Sequence, residues 1–306
     1  MKGFVAALIA LGITGSGSAP TLPNSALAVW RDGGWHRWWR SSAAPVRWAA
    51  PDPTLTGALA WRPVADGVAW AELRLAGSGE AWRTRAIVAR LDPTRVRLRL
   101  DTAFAKDSRR AAWSLASAPA EALFAANAGQ FLYTLPWGWV VLDGRQFLAP
   151  GRGPLATAFI VDSSGAIRWA PADALAHPGT RRGVAAAFQS YPTLLEDDGT
   201  IPPPLRAPGP HVNLGHRDAR LAIGQTRDGI LLVALTRFDA AGDALGQVPF
   251  GLTTPEMAAL MGALGARDAV MLDGGISAQM QIGQGPSRVR WPGLRKVPLA
   301  LIAQPR

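Results

Sequence analysis

Residues 219–238 read "ARLAIGQTRDGILLVALTRF". Two apolar runs of strand length flank Asp228-Gly229, and an Asp-Gly pair between such runs favours the positive-φ turn that closes a β-hairpin. Downstream, "TTPEMAALMGALGARDAVMLDGG" (253–275) changes period. Thr254 reads as a helix cap and Pro255 as the first helical residue; apolar positions recur three to four apart, and Gly265 reads as the stop. The apolar run Val270-Met271-Leu272 then brings Asp273 to a strand end beside two glycines. Positions without side chains let a ligand press against the backbone and reach its N–H groups, although an ordinary turn explains Asp-Gly-Gly equally well.

The alternation extends upstream. "GVAWAELRL" (67–75), "TRAIVARL" (84–91) and "RVRLRLD" (95–101) are strands separated by Gly-Ser-Gly and Asp-Pro turns. "PAEALFAANAGQF" (119–131) reads as a short helical stretch entering a strand that ends at Asn127, and "WGWVVLDGRQ" (137–146) and "ATAFIVDSSGAIRWA" (156–170) as hairpins. "VAAAFQSYPTLLEDDGTIPPPL" (184–205) is a strand with a polar, proline-rich exit, and "VPLALIA" (297–303) is a final strand. Many strands and few helices predict an α+β chain with a mixed, mostly antiparallel sheet.

Residues 29–60 carry Trp30, Trp35, Trp38, Trp39 and Trp48 and no clean period. They read as an N-terminal extension packed irregularly on a domain spanning 61–306; indoles also suit sugar faces. The opening "MKGFVAALIALGITGSGSAP" has one basic residue and an apolar stretch of signal-peptide length, short for a bilayer span. Ala26-Leu27-Ala28 offers a small-residue cleavage site before Val29, so 1–28 reads as a signal peptide or N-terminal anchor, and the expected location is periplasmic or secreted. With no cysteine, the core alone must hold the fold.

Of 306 residues, 48% are hydrophobic and 18% charged, enough for a sizeable core and against global disorder. The net charge of +10 rests almost wholly on arginine, the lysines being Lys2, Lys106 and Lys296. Coding bias explains this, and so would a phosphate-bearing substrate, which arginine grips bidentately. The basic residues are dispersed and no nucleic-acid motif is present, so nucleic acid is set aside as a partner. His211 and His216 flank Asn213 in a Pro-Gly loop and have only Asp218 near ligand spacing, so no metal site is expected. Ser277 lacks the Gly-x-Ser-x-Gly elbow of an acyl-transfer nucleophile, and neither "GSGSAP" nor "GQGPS" is a phosphate loop. No cofactor is expected.

Asn127-Ala128-Gly129-x-Phe131, Arg220-x-Ala-Ile-Gly, Gly-Leu-Thr-x-x-Glu256-Met and Leu-Asp273-Gly274-Gly275-x-Ser277 occur in this order. The series, with "SYPTLLEDDG" (190–199), resembles the phosphodiester glycosidase domain family over residues 61–303. Members commonly carry a third glycine where this chain has Ile276, and Asn-Ala-Gly in place of Asn-Gly-Gly points to a bacterial branch. The resemblance implies an exported hydrolase that cleaves the anomeric bond of a sugar-1-phosphodiester in an envelope or extracellular glycan. Its partner would be a sugar-phosphate or glycan, with association to the envelope. A non-catalytic glycan-binding or scaffold protein using the same cleft is the alternative.

On that resemblance, Asp273 is the catalytic carboxylate, as base, nucleophile or ion-pair stabiliser. Arg220 holds the departing phosphate, and Asn127 either binds the sugar or fixes Asp273. Gly129, Gly274, Gly275 and Ser277 would contact substrate, the glycines through backbone N–H groups. Glu196, Asp218 and Asp228 compete for the place of a second carboxylate. Asn127, Arg220 and Asp273 are expected to converge in one cleft.

Overall fold

The computed structural model describes residues 24–103, 112–207, 213–239, 246, 248 and 250–306. Its centre is a nine-stranded sheet. In spatial order the strands are Thr193–Leu195, Ala266–Leu272, Leu221–Thr226, Leu231–Phe238, Thr84–Leu91, Val68–Ala76, Ala26–Arg31 and Gly34–Arg40, with Arg62–Ala65 added beside Val68–Ala76. One five-stranded sheet runs Arg145–Leu148, Val140–Leu142, Val184–Ser190, Thr157–Asp162, Ile167–Pro171; another runs Val289–Trp291, Met280–Ile282, Phe124–Asn127, Leu299–Pro305, Val96–Thr102. Among the described residues every strand pairing is antiparallel, which corrects the expected mixed sheet. Only Pro53–Thr56 and Thr254–Ala263 are α-helices there, so the chain is more β-rich than a balanced α+β protein.

Strand alternation builds two cores, one on each face of the large sheet. Ile87, Ile223, Val233 and Val270 pack with Phe124, Phe159, Phe188 and Leu301 from the smaller sheets. Their neighbours Val88, Ala222, Ala234 and Met271 pack on the other side with Met257, Leu260 and Met261 of the long helix. That helix is buried on all sides, as a helix covered by both a sheet and an N-terminal segment must be. Its cap is Thr253, one residue before the expected Thr254: the Thr253 hydroxyl accepts from Glu256 N–H at 3.3 Å, and Glu256 Oε2 accepts from Thr253 N–H at 2.9 Å. This capping box satisfies two end groups at once.

The hairpins at 140–148, 157–171 and 221–238 form as read, the first turning through Asp143 and Gly144 at φ 48° and 75°. The helical stretch expected at 119–122 is a turn. Residues 29–60 are less irregular than expected. Ala26–Arg31 and Gly34–Arg40 form a hairpin that pairs with Val68–Ala76, because Leu27 and Val29 alternate into the core while the Gly34–Arg40 strand faces solvent along most of its length. The small-residue cleavage site Ala26-Leu27-Ala28 therefore falls inside a strand, with Leu27 fully buried. Residues 1–23 of the expected leader lie outside the described residues.

Beyond the hairpin, Trp48 lies against the helix at Gly262, where any Cβ would overlap the indole. Arg217 reaches the same helix and makes a bidentate pair with Glu256, at 2.7 and 2.9 Å. Glu256 has no exposed side chain. Urea denaturation tests these contacts. Trp48→Ala costs about 3–5 kcal/mol by leaving a large cavity, and Gly262→Ala about 1–3 kcal/mol by overpacking it. Arg217→Met costs about 3 kcal/mol or more by stranding Glu256 as a buried unpaired charge, and Glu256→Gln in the same chain recovers part of that loss.

Candidate active site

The Leu221↔Leu272 pair is the last in its ladder, so Arg220 and Asp273 emerge at the same end of adjacent strands. The backbone of Asp273 is clamped there: its N–H donates to Gly129 O at 2.9 Å and its carbonyl accepts from Asn127 Nδ2 at 2.8 Å. Asn127 Oδ1 in turn accepts from Gln279 N–H at 3.0 Å, and Asn127 is 1% exposed. Asn127 and Gly129 thus hold Asp273 from behind. Ser277, also buried, hydrogen-bonds the Asp273 carboxylate.

The two glycines after Asp273 make room for protein rather than ligand. A Cβ at Gly274 would stand 2.6 Å from Ala219 O. The N–H of Gly275, expected to be free for substrate, donates to Ala219 O at 2.7 Å, and this residue sits at φ +56°. A Cβ at Gly275 would lie 2.9 Å from Asp218 Oδ2. The side-chain-free turn brings Asp218 up against the Asp273 turn.

Asp218 is therefore the carboxylate that joins Asp273. Burial pushes Asp273 up to about 6, with the negative charge of Asp218 adding to the rise and Ser277 and Arg295 opposing it. Asp273 Oδ2 is buried with no hydrogen-bond partner. Burial also raises Asp218, against the pull of Arg220, the Ala219 N–H and His216, whose Nε2 lies 3.6 Å from Asp218 Oδ2. Glu196 and Asp228 belong elsewhere: antiparallel pairing places Glu196 beside Asp268 and Asp228 beyond Ala266, about 16 Å and more than about 20 Å from Asp273 at ~3.3 Å per residue.

Arg220 is buried and does not pair with Asp273 among the described residues. Its Nε donates to Leu252 O at 2.8 Å and its Nη2 to His216 O at 2.5 Å, while Nη1 makes no hydrogen bond to a described residue. Burial lowers its pKa and the charges of Asp218 and Glu256 oppose that. The guanidinium lines a cleft of about 450 Å³ with Trp137, Arg152, Tyr191, Asn213 and His216. Trp137 and Tyr191 meet edge to face, centroids 4.7 Å apart. Of the three residues expected to converge, only Arg220 is among those lining this cleft; Asp273 lies at the same end of the adjacent strand with Asn127 bonded to its carbonyl.

Arg295 carries no motif of its own. Its guanidinium lies over the Phe131 ring at 5.0 Å, donates to Tyr133 O at 3.0 Å, and lowers the pKa of Asp273. His216 is exposed in its loop, as read from sequence, and also lines the cleft; His211 lies outside the described residues. No group of three potential metal ligands occurs among the described residues.

The family model for phosphodiester glycosidase matches residues 118–303. No curated protein matches the chain. Among solved structures, the catalytic domain of zebrafish N-acetylglucosamine-1-phosphodiester alpha-N-acetylglucosaminidase, auto-inhibited by its pro-peptide, aligns with a TM-score of 0.55 at 15% identity, covering 92% of this chain and 89% of that one. A hypothetical protein from Synechocystis aligns with a TM-score of 0.49 at 16% identity, covering 80% of this chain and 64% of that chain. At 15% identity the likeness to the zebrafish domain is one of fold. The family match spans more than half of the chain, including Asn127, Arg220 and Asp273, and so the chain belongs to the phosphodiester glycosidase family.

Proposed function

We propose that the chain is an exported glycoside hydrolase that cleaves the bond between an anomeric carbon and a phosphodiester oxygen in an envelope or extracellular glycan. The observation that carries this reading is the half-buried pair Asp218 and Asp273 beside Arg220, which lines a cleft and has one guanidinium nitrogen unbonded to described residues. A phosphate is a good leaving group, so the site has more need of an anion-binding cation and a carboxylate near the anomeric centre than of a strong general acid. Arg220 takes the phosphate. Asp273, held by Asn127, Gly129 and Ser277, stabilises the positive charge that develops on the sugar. As the C–O bond to phosphate breaks, water adds to the anomeric carbon, its proton passes to the carboxylate pair, and the phosphate leaves as a monoester anion. Trp137 and Tyr191 offer ring faces for the sugar.

The test is hydrolysis of a sugar-1-phosphate aryl diester. Asp273→Asn loses at least about a hundredfold in kcat/KM, as expected for removing a group that stabilises transition-state charge. In the wild type kcat/KM rises with pH through a midpoint of about 6, because Asp273 acts ionised, and Asp218→Asn moves that midpoint lower by removing a like charge. The stability signs run the other way. A folded-state pKa of about 6 against 3.8 for the free side chain gives stability that is present in acid and lost as pH rises through about 6. Asp273→Asn therefore gains in melting temperature over the wild type between about pH 4 and 6, and the gain levels off above that. Unchanged turnover in Asp273→Asn removes Asp273 from the mechanism. Glycan binding without turnover on any diester favours a binding protein instead.

Export is tested by sequencing the N-terminus of the secreted protein. The mature chain starts at or before Ser25, since cleavage before Val29 would remove half of the Ala26–Arg31 strand.

A further inference from the structure

Large apolar side chains stand in solvent around the Asp273 strand end. Leu132 and Tyr133, at the tip of the Phe131–Leu132/Leu135–Pro136 hairpin, are 56% and 87% exposed, Leu135 is 42%, Ile276 is 44% and Leu294 is 64%. They come from three segments that one arginine ties together. Arg295 covers Phe131 and bonds Tyr133 O, while Leu294 N–H and Arg295 N–H both donate to Ile276 O, at 2.7 and 3.1 Å. Ile276 lies in the turn after Asp273 that carries Ser277, and it puts a branched side chain into solvent there. The base of the hairpin closes through Trp137 N–H to Gln130 O at 2.8 Å, and Trp137 lines the Arg220 cleft. An apolar lip thus continues into a cleft whose buried cation is Arg220.

Clustered exposed side chains of this size mark a surface that binds something apolar. Here the lip holds the exposed cation Arg295 over Phe131 and adjoins, through Trp137, the cleft lined by Arg220, matching an amphipathic ligand with its charge at one end and hydrocarbon at the other. A second sugar or a peptide on the phosphate would leave the lip in water. We propose, resting on the phosphodiester reading of the site above, that the alcohol esterified to the phosphate is a long-chain lipid alcohol. Its phosphate sits at Arg220 and its chain lies across Leu132, Tyr133, Leu135, Ile276 and Leu294.

Two measurements separate this proposal from the reading it rests on. The first is binding, by calorimetry, of dodecyl phosphate and methyl phosphate below their aggregation concentrations. The wild type binds dodecyl phosphate at least about tenfold tighter, the gain from burying about two methylene groups. Leu132→Ser/Leu294→Ser, both at exposed positions, abolishes that preference and leaves methyl phosphate affinity unchanged. The second compares kcat/KM for sugar-1-phosphate dodecyl and methyl diesters: the wild type prefers the dodecyl ester by a similar factor, and the double variant turns over both alike. Chain preference in binding with no turnover on either ester sinks the hydrolase reading and keeps the alkyl-phosphate site. Turnover of both esters with no preference in either measurement overturns the lipid proposal and keeps the hydrolase. Lip-dependent sedimentation with phosphatidylcholine vesicles, or lip-dependent dimerisation, in the absence of any chain preference assigns the lip to a membrane surface or to a second copy and also overturns it.

Discussion

The loop that delivers the functional side chains is fixed by one buried ion pair. Arg217 bonds both carboxylate oxygens of Glu256, and Glu256 simultaneously caps its own helix through Thr253. Arg217 Nη1 also reaches Gly251 O, at 3.2 Å, so the loops on both sides of the helix start share this anchor. A buried pair of this kind adds little net stability compared with apolar packing, but losing one partner is expensive. Its effect here is positional. Residues 216–220 cannot shift without uncovering Glu256, and those residues carry His216 and Arg220 to the cleft and Asp218 to the turn after Asp273.

The second constraint is that Asp273 has a fixed backbone and a poorly satisfied carboxylate. Gly129 and Asn127 occupy its N–H and carbonyl, Ser277 bonds the carboxylate, and Oδ2 remains buried and unpaired. A core would resolve such an orphan by exposing it or giving it a partner. Instead, Gly275 admits a second carboxylate that raises the cost of ionising the first. Clusters that oppose their own ionisation, on rigid strand ends and next to a cleft, are where proton-transfer and charge-stabilising groups are found.

Sequence pattern exposed the parts governed by local rules. The Asp-Gly hairpins, the buried strand before Asp273 and the helix at 254–263 follow from turn chemistry and periodicity, which act within a few residues. The Gly34–Arg40 strand escaped because an exposed strand of Trp, His and Arg has no apolar alternation to read. The cap moved from Thr254 to Thr253 because adjacent threonines offer the same hydroxyl and only the Glu256 spacing distinguishes them. The choice among Glu196, Asp218 and Asp228 depended on strand register, which carries two of them several residues along the strands away from Asp273. Arg295 reaches the site through a ring 164 residues earlier, a relation that no local window contains.

The arginine excess has a structural explanation beyond coding bias or phosphate. Arg168, Arg206, Arg217, Arg220, Arg237 and Arg267 each donate to backbone carbonyls in loops and turns. Arg237 alone gathers Ala278 O, Trp291 O and Pro292 O, tying the turn after Ser277 to the segment that leads to Arg295. A chain without cysteine cannot crosslink such loops, and a planar guanidinium with five donors can bond several carbonyls at once where an ammonium offers a point charge. Arg220 uses the same device for another end. Two carbonyls take Nε and Nη2, fixing the plane of the guanidinium, and the remaining edge stays available to an anion. Lysine at that position could supply the charge but could not be held by one edge while offering another.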